Sequence, residues 1–464
     1  MSIEVDRAAA GVVGNALRHV CYDEDAIARL LGDDAWTTAI EDAEAHVARL
    51  PRSGIASALR LLFLELPITR EQAESALGAR ALGALERIGF ARVGTETVEP
   101  LVRIAPVGTI LLASDRLSTD PAQDPADYVS TYSPTARLCD LLTPRPWVER
   151  ALDVGTGNGV QALLAAGHSD QVIATDVNPR ALAFTELNAA LSEITNVETR
   201  RGSLFEPVDG ERFDLIICNP PFVVSPERRW TYRDGWLEGD ELSAQVVREA
   251  AGHLAEDGYA TMLASWLGHS AEAPDDRVWD WVQDIGCDAW ILPVDEASPL
   301  EHAERWNAHL ANDRAAHRDA VTRWTGYLEE LGAQVVTEGG ILLRRRDGSN
   351  TTRIDEVDED ELGPADHQIR RAFAGRAALD GHDLLDVRLK RADALRVETL
   401  SRRAHVTLEE GIWSRLDVSL GAAAVLGKLN GRPLRELEPS SAAVDACRDL
   451  LELGALEVTA TSAP

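Results

Sequence analysis

Short, nearly continuous apolar runs recur along the middle of the chain, each followed within two residues by a glycine, a proline or an acidic residue. They stand at Ala151–Val154, Val172–Thr175, Phe213–Cys218, Gly258–Trp266 and Ala289–Val294. Runs of this kind suit strands buried on both faces. Between them, Val160–Ala166, Glu241–Leu254 and Glu301–Leu331 carry apolar residues at helical spacing, the last long enough to be broken once. Strands alternating with helices predict an α/β domain built on a parallel sheet. Near its end, Ala333–Thr337 and Ile341–Arg345 flank Gly339-Gly340 and read as an antiparallel hairpin.

The flanks read differently. Residues 1–50 are helical in pattern and rich in alanine and acid. Ile55–Leu66 has helical spacing and stops at Pro67, Thr69-Arg70-Glu71-Gln72 opens a short helix as a capping box, and Ala81–Ile88 gives a third. Gly89 and the strand-like Phe90–Val93 follow, so three helices and a small wing resemble a winged helix. Val102–Ala113 is strand-like. At the other end, Leu450–Val458 (LLELGALEV) repeats the helix, glycine and short strand of Leu85–Val93 (LERIGFARV). The expected organisation is a helical, winged-helix-like domain over 1–120, a central domain over 125–347, an acidic linker over 348–363, and a second winged-helix-like domain over 364–464.

Chemistry concentrates between Ala151 and Phe222. The first strand ends in Asp153-Val154 and runs into Gly155-Thr156-Gly157-Asn158-Gly159, then a helix. Glycines there permit torsions and close approaches that side chains forbid. The spacing is G-x-G-x-G, unlike the G-x-G-x-x-G of dinucleotide binders. Asp153 stands where a carboxylate can hold a ligand's amino group. Asp176 ends the next strand about 20 residues on, where an acid in a doubly wound sheet reaches ribose hydroxyls. After Phe213–Cys218 comes Asn219-Pro220-Pro221-Phe222. The prolines end the strand and stiffen the turn. Asn219 can accept hydrogen bonds from an N–H₂ group, and Phe222 can stack on a planar group or face a cationic amine.

These segments together resemble class I S-adenosylmethionine-dependent methyltransferases, in the amino-methylating group with an Asn-Pro-Pro-aromatic motif. Members act on adenine, on guanine in ribosomal RNA, and on glutamine amides of release factors. The resemblance implies a Rossmann-like seven-stranded sheet with a closing antiparallel hairpin, and S-adenosylmethionine as cofactor. It implies that Asp153, Gly155, Thr156, Gly157 and Gly159 hold the methionine end, that Asp176 binds the ribose, and that Val177, Ser203 and Leu204 lie near the adenine. Ser203 stands where many relatives carry an aspartate. Asn219, Pro220 and Phe222 would hold the target nitrogen for direct transfer. Tyr132 and Ser133, ahead of the first strand, are further cofactor-site candidates.

Charge and cysteines narrow the partners. The 464 residues carry 46 Lys and Arg against 77 Asp and Glu, a formal charge of −31. Such acidity disfavours nonspecific affinity for bare nucleic acid, while leaving room for a local basic patch. One loop, Val223–Arg233, is basic and aromatic, and offers Arg228, Arg229, Trp230 and Tyr232 as substrate contacts. The five cysteines form no C-x-x-C pair, which fits reduced thiols and a cytoplasmic setting. No apolar run is long enough to predict a membrane span. The expected acceptor is an amino or amide nitrogen of a protein or peptide; the alternative is an exocyclic base nitrogen of RNA or DNA. A binding module without activity is disfavoured by Gly155, Gly157, Asp176 and Asn219.

Overall fold

A computed structural model describes residues 3–32, 43–118, 124–227, 237–412 and 414–460. Its centre is one sheet of eight strands: β1 (Val148–Val154), β2 (Ser169–Asp176), β3 (Val197–Arg201), β4 (Phe213–Cys218), β5 (Leu254–Gly268), β6 (Cys287–Ala297), β7 (Val335–Arg345) and β8 (Thr352–Ile354). The order across the sheet is β8-β6-β7-β5-β4-β1-β2-β3. Strands β1 to β5 pair in parallel, and β7 inserts antiparallel between β5 and β6. The order reverses between β1 and β4, and in such sheets ligands bind beyond the strand ends at that point.

The sheet departs from the expected one twice. Val335–Arg345 is a single strand, and Gly339-Gly340 lies within it rather than at a hairpin turn. A Cβ on Gly339 would stand 2.3 Å from the Leu292 carbonyl oxygen, and one on Gly340 would stand 2.6 Å from Leu142 Cδ1. These glycines serve close approach of neighbours. The sheet also has eight strands rather than seven. Thr352–Ile354, expected in the acidic linker, pairs parallel to β6. It is too short to show a period in sequence, but it pairs the open edge that β6 would otherwise present.

Ahead of the sheet, helices Arg7–His19, Glu24–Leu31, Gly54–Leu62 and Arg70–Arg87 surround a small sheet of Ile68–Thr69, Thr97–Pro100 and Ala91–Val93. The capping box forms: Thr69 Oγ1 accepts from Gln72 N–H at 3.2 Å and Gln72 Oε1 accepts from Thr69 N–H at 3.0 Å. Gly78, at φ 81°, interrupts helix 70–87. This region shares its core with the central sheet's helices. Its core includes Ala181, Phe184, Leu187 and Leu191 of helix Pro179–Leu191. A hairpin, Arg103–Val107 with Ile110–Ser114, is clamped to that helix by Asn188, which is fully buried. Asn188 accepts from Ala113 N–H at 2.9 Å and donates to the carbonyls of Ala113 and Asn158, each at 2.8 Å.

Behind the sheet, helix Asp366–Leu379 leads to strands Arg388–Arg391 and Leu456–Ala460, which pair with each other. Between them lie a three-stranded meander (Leu395–Thr399, Ala404–Leu408, Ser414–Val418) and helices Leu420–Leu426 and Ser441–Glu452. The sequence reading did not foresee the meander. The two matched segments do share geometry. Gly89 and Gly454 have φ of 76° and 72°. Phe90 N–H donates to Leu85 O and Ala455 N–H to Leu450 O, both at 2.8 Å. Each is a helix end closed by a left-handed glycine. Arg376 fastens this region to β6: it is buried, donates to Ala289 O at 3.1 Å, and lies 4.9 Å over the Trp290 ring. Among the described residues no helix is long and apolar enough to cross a membrane.

Candidate functional site

A cavity of about 470 Å³ opens at the carboxyl ends of β1, β2 and β4. That volume falls in the range of small-molecule and cofactor sites, roughly 300–1,000 Å³. Asp153, Gly155, Thr156, Gly157, Asp176, Val177, Leu204, Asn219, Pro220 and Phe222 all stand in its wall. The sheet brings them together because β1 has β2 on one side and β4 on the other.

The glycine turn is built around two carboxylates. Asp153 is buried; one of its oxygens accepts from Thr156 Oγ1 at 2.6 Å and from Ala162 N–H at 2.9 Å. Asp176 accepts from Gly157 N–H at 2.9 Å and Asn178 N–H at 2.8 Å. Gly155 and Gly157 have φ of 71° and 57°, and a Cβ on either would meet nothing within 4 Å. Their backbone therefore faces open space that a ligand can approach closely. Gly159 does other work. It lies outside the cavity wall and caps helix Val160–Ala165 in a left-handed conformation against Thr185.

Burial raises the Asp153 carboxyl to about 7, against hydrogen bonds from Thr156 and Ala162 that lower it; the neighbouring charge of Asp176 adds to the rise. Burial also raises Asp176. For Asp153 the folded state holds a proton more tightly than the unfolded chain. Its contribution to stability is full below pH 4 and is lost as pH rises through about 7, on the order of 4 kcal/mol. Chemical denaturation of the ligand-free protein between pH 4 and 8 is expected to show this loss. Asp153→Asn is expected to flatten it; an unchanged slope in that variant would contradict the assignment.

The Asn219 side chain is half-buried and makes no hydrogen bond to another described residue. Its carboxamide is thus available to a ligand. Phe222 and Val223 continue the wall, and Trp306 reaches it from helix Pro299–Trp306, its indole held by Glu338 Oε1 at 3.0 Å.

Ser203 is not in the wall. Its N–H donates to Glu206 Oε2 at 3.3 Å and its carbonyl accepts from Glu206 N–H at 2.9 Å, which turns the segment so that Gly202 and Leu204 take the wall on either side. Of the two residues ahead of β1, Ser133 lines the cavity, while the Tyr132 hydroxyl meets Asp140 at 3.4 Å and stands outside it. Arg228, Arg229, Trp230 and Tyr232 lie outside the described residues.

The sequence reading missed Tyr128, Ser130, Thr131, Asn158, Gln161 and Asn178. The loop that carries the first three is held by two asparagines. Asn158 donates to Ser130 O at 2.8 Å, and Asn178 donates to Asp127 O at 3.1 Å. The only signal was the position of both asparagines directly after a strand-end motif. Gln161 donates to Ala136 O at 2.8 Å, and its buried Oε1 has no partner among the described residues. A nucleoside-bearing amino acid fits this wall: acids at two strand ends, open glycine backbone, and an acceptor oxygen left unpaired.

The family model "Methyltransferase small domain" matches residues 134–267. A ribosomal protein uL3 glutamine methyltransferase of Bradyrhizobium diazoefficiens is 37% identical over 124 residues, which is 24% of this chain and 39% of that protein. The enzyme of the same description from Xanthomonas campestris pv. campestris is 35% identical over 158 residues, 30% of this chain and 50% of that one. A release factor glutamine methyltransferase of Aliivibrio fischeri is 40% identical over 140 residues, 28% and 46% of the two chains. The chain thus spans half or less of the length of these relatives. All three are named for methylation of protein glutamines, so the nucleobase alternative draws no support from them. The matched segment contains the glycine turn, both strand-end acids and the Asn-Pro-Pro-Phe turn, and it runs to the end of β5. Residues 134–267 are therefore similar to the methyltransferase small domain.

Proposed function

We propose that this chain methylates the side-chain amide nitrogen of a glutamine in a protein of the translation apparatus, in the cytoplasm. The observation that carries the reading is the Asn219 carboxamide, without a hydrogen bond to any described residue, in the same cavity as the glycine turn. The relatives' names support glutamine as the acceptor.

Bound in the cavity, S-adenosylmethionine would supply an electrophilic methyl on its sulfonium. Asp153 and the Gly155–Gly157 backbone would hold its methionine end, Asp176 its ribose hydroxyls, and Val177 and Leu204 its adenine. The Asn219 carboxamide oxygen and a neighbouring backbone carbonyl accept the two N–H groups of the glutamine amide. That would orient the nitrogen toward the methyl donor and favour the positive charge developing on it. Phe222 packs on the planar amide. Transfer would exchange the S–CH₃ bond of the donor for the new N–CH₃ bond, and the amide nitrogen would give one proton to solvent. Pro220 and Pro221 keep the turn from relaxing before the acceptor arrives. The flanking units fit winged-helix-like modules, over 1–120 and 364–464 in the proposed division, that present the acceptor protein to the cavity. Arg228, Arg229, Trp230 and Tyr232 are proposed to meet it beyond Phe222.

The test is transfer of labelled methyl from S-adenosylmethionine to purified ribosomal protein uL3 and, separately, to a release factor, with the methylated residue located by mass spectrometry. One methyl on a glutamine of either protein is expected. Label that appears only in nuclease-sensitive material of a cell extract would replace this reading with base methylation.

A further inference from the structure

The charge of the chain is distributed unevenly, and one region reverses it. Between Arg388 and Arg435 there are ten lysines and arginines against five aspartates and glutamates, in a protein of net charge −31. The chain's only two lysines, Lys390 and Lys428, both fall here. All ten cations are solvent-exposed. Four of them are matched by acids: Lys390 by Glu457, Arg396 by Glu409, Arg403 by Asp417 and Arg435 by Asp386. Of the other six, Arg415 lies in the field of Asp417, while Arg388, Arg391, Arg402, Lys428 and Arg432 form no ion pair with an acid among the described residues.

The fold distributes these six over two ridges. Gly431 N–H donates to Leu389 O at 2.9 Å and Arg388 is bridged to Pro433, so the turn bearing Lys428 and Arg432 lies beside the strand bearing Arg388 and Arg391. In the meander, Arg396, Thr407 and Arg415 stand side by side across three strands. They share the face opposite Val406, Leu408 and Val418, which pack into the core of this region, and Glu398 and Asp417 stand on that same outer face. The turn between the first two strands adds Arg402.

We propose that this surface docks the phosphodiester backbone of RNA, as an anchoring site apart from the methyl-transfer cavity. Arginine forks and ammonium groups on exposed ridges suit a chain of phosphates, each met by a charge-assisted bond. The net acidity of the rest of the chain sharpens the effect, since it disfavours approach of a polyanion elsewhere and orients the encounter. Loose arrangement on strands and turns gives backbone contact without base readout. The proposal does not depend on the identity of the methyl acceptor.

The experiment is fluorescence anisotropy of a short labelled RNA of mixed sequence with the full-length protein, without S-adenosylmethionine, across a salt series. Binding is expected at low salt, weakening steeply as salt rises. The triple variant Arg388→Glu/Lys428→Glu/Arg432→Glu is expected to lose at least about tenfold in affinity. Its log–log salt slope should fall by about 0.7 for each phosphate contact removed. Thermal melting and cofactor binding by the variant are checked alongside. None of the three lines the cavity, so cofactor binding should stay at the wild-type value, and melting shows whether the variant is folded. Arg402→Glu/Arg415→Glu, made separately, reads the second ridge if the triple variant fails to fold. Wild-type RNA affinity in both variants, no binding at low salt, or binding to anionic phospholipid vesicles in place of RNA would each overturn the proposal.

Discussion

Asn219→Ala is expected to bind S-adenosylmethionine within about twofold of wild type and to transfer methyl about 10²–10³-fold more slowly, a loss typical of removing one preorganised polar group from a reacting centre. The split follows from where Asn219 sits. It follows β4 directly, with Pro220 and Pro221 behind it, and its side chain makes no bond that holds the fold together. Removing it therefore leaves the glycine turn, Asp153 and Asp176 in place. Equilibrium dialysis with labelled cofactor reads the first quantity, and single-turnover transfer to the methyl-accepting protein reads the second. Asn219→Asp sharpens the test. It keeps the shape and an acceptor oxygen but adds a charge, so a further change in the pH profile of transfer is expected. Wild-type turnover by Asn219→Ala would refute the role proposed for this residue.

Gly159→Ala is expected to cost about 3 kcal/mol of stability, from backbone strain and overpacking together. Gly159 has φ 88°, which an L side chain rarely adopts. An added Cβ would stand 2.9 Å from both Thr185 Oγ1 and Cγ2, and 3.1 Å from Thr185 Cα. Thr185 cannot simply swing away, because its hydroxyl donates to Gly157 O at 3.2 Å and its side chain is buried. The strain would also tilt the start of helix Val160–Ala165, whose Ala162 N–H bonds Asp153. Urea denaturation measures the cost. In a Thr185→Ala background the two shortest contacts disappear, while the 3.1 Å approach to the Cα of residue 185 and the torsional strain remain, so Gly159→Ala should cost about half as much there. Equal costs in both backgrounds would mean that contact with Thr185 is not what excludes a side chain.

Much of the site was legible in the sequence because its chemistry is local. A strand, a glycine turn and a helix need no distant partner to set their torsions, and Asp153, Gly155, Gly157 and Asp176 fall where that unit places them. Asn219-Pro220-Pro221-Phe222 was equally readable, since two prolines after a buried strand leave the backbone few options. Ser203 was misplaced because its position depends on one side chain, Glu206, that folds back onto it. The loop through Tyr128–Thr131 was missed for a related reason. Its place over the cavity is set by Asn158 and Asn178, and no period or composition marks such bonds.

By itself the sequence determined which strands are buried, where they end and which chemical groups stand at those ends, because hydrophobic period and glycine or proline torsions act within a few residues. Tertiary structure decided the rest. The run Val335–Arg345 became one strand because β5 and β6 pair along its whole length, which overrides the turn that two glycines suggest. Thr352–Ile354 joined the sheet because an open edge was there to be paired. The hairpin Arg103–Ser114 came to brace the glycine turn through Asn188, a contact between residues 75 positions apart. Such contacts depend on which surfaces meet once the sheet has formed, and a linear pattern does not encode that order of assembly.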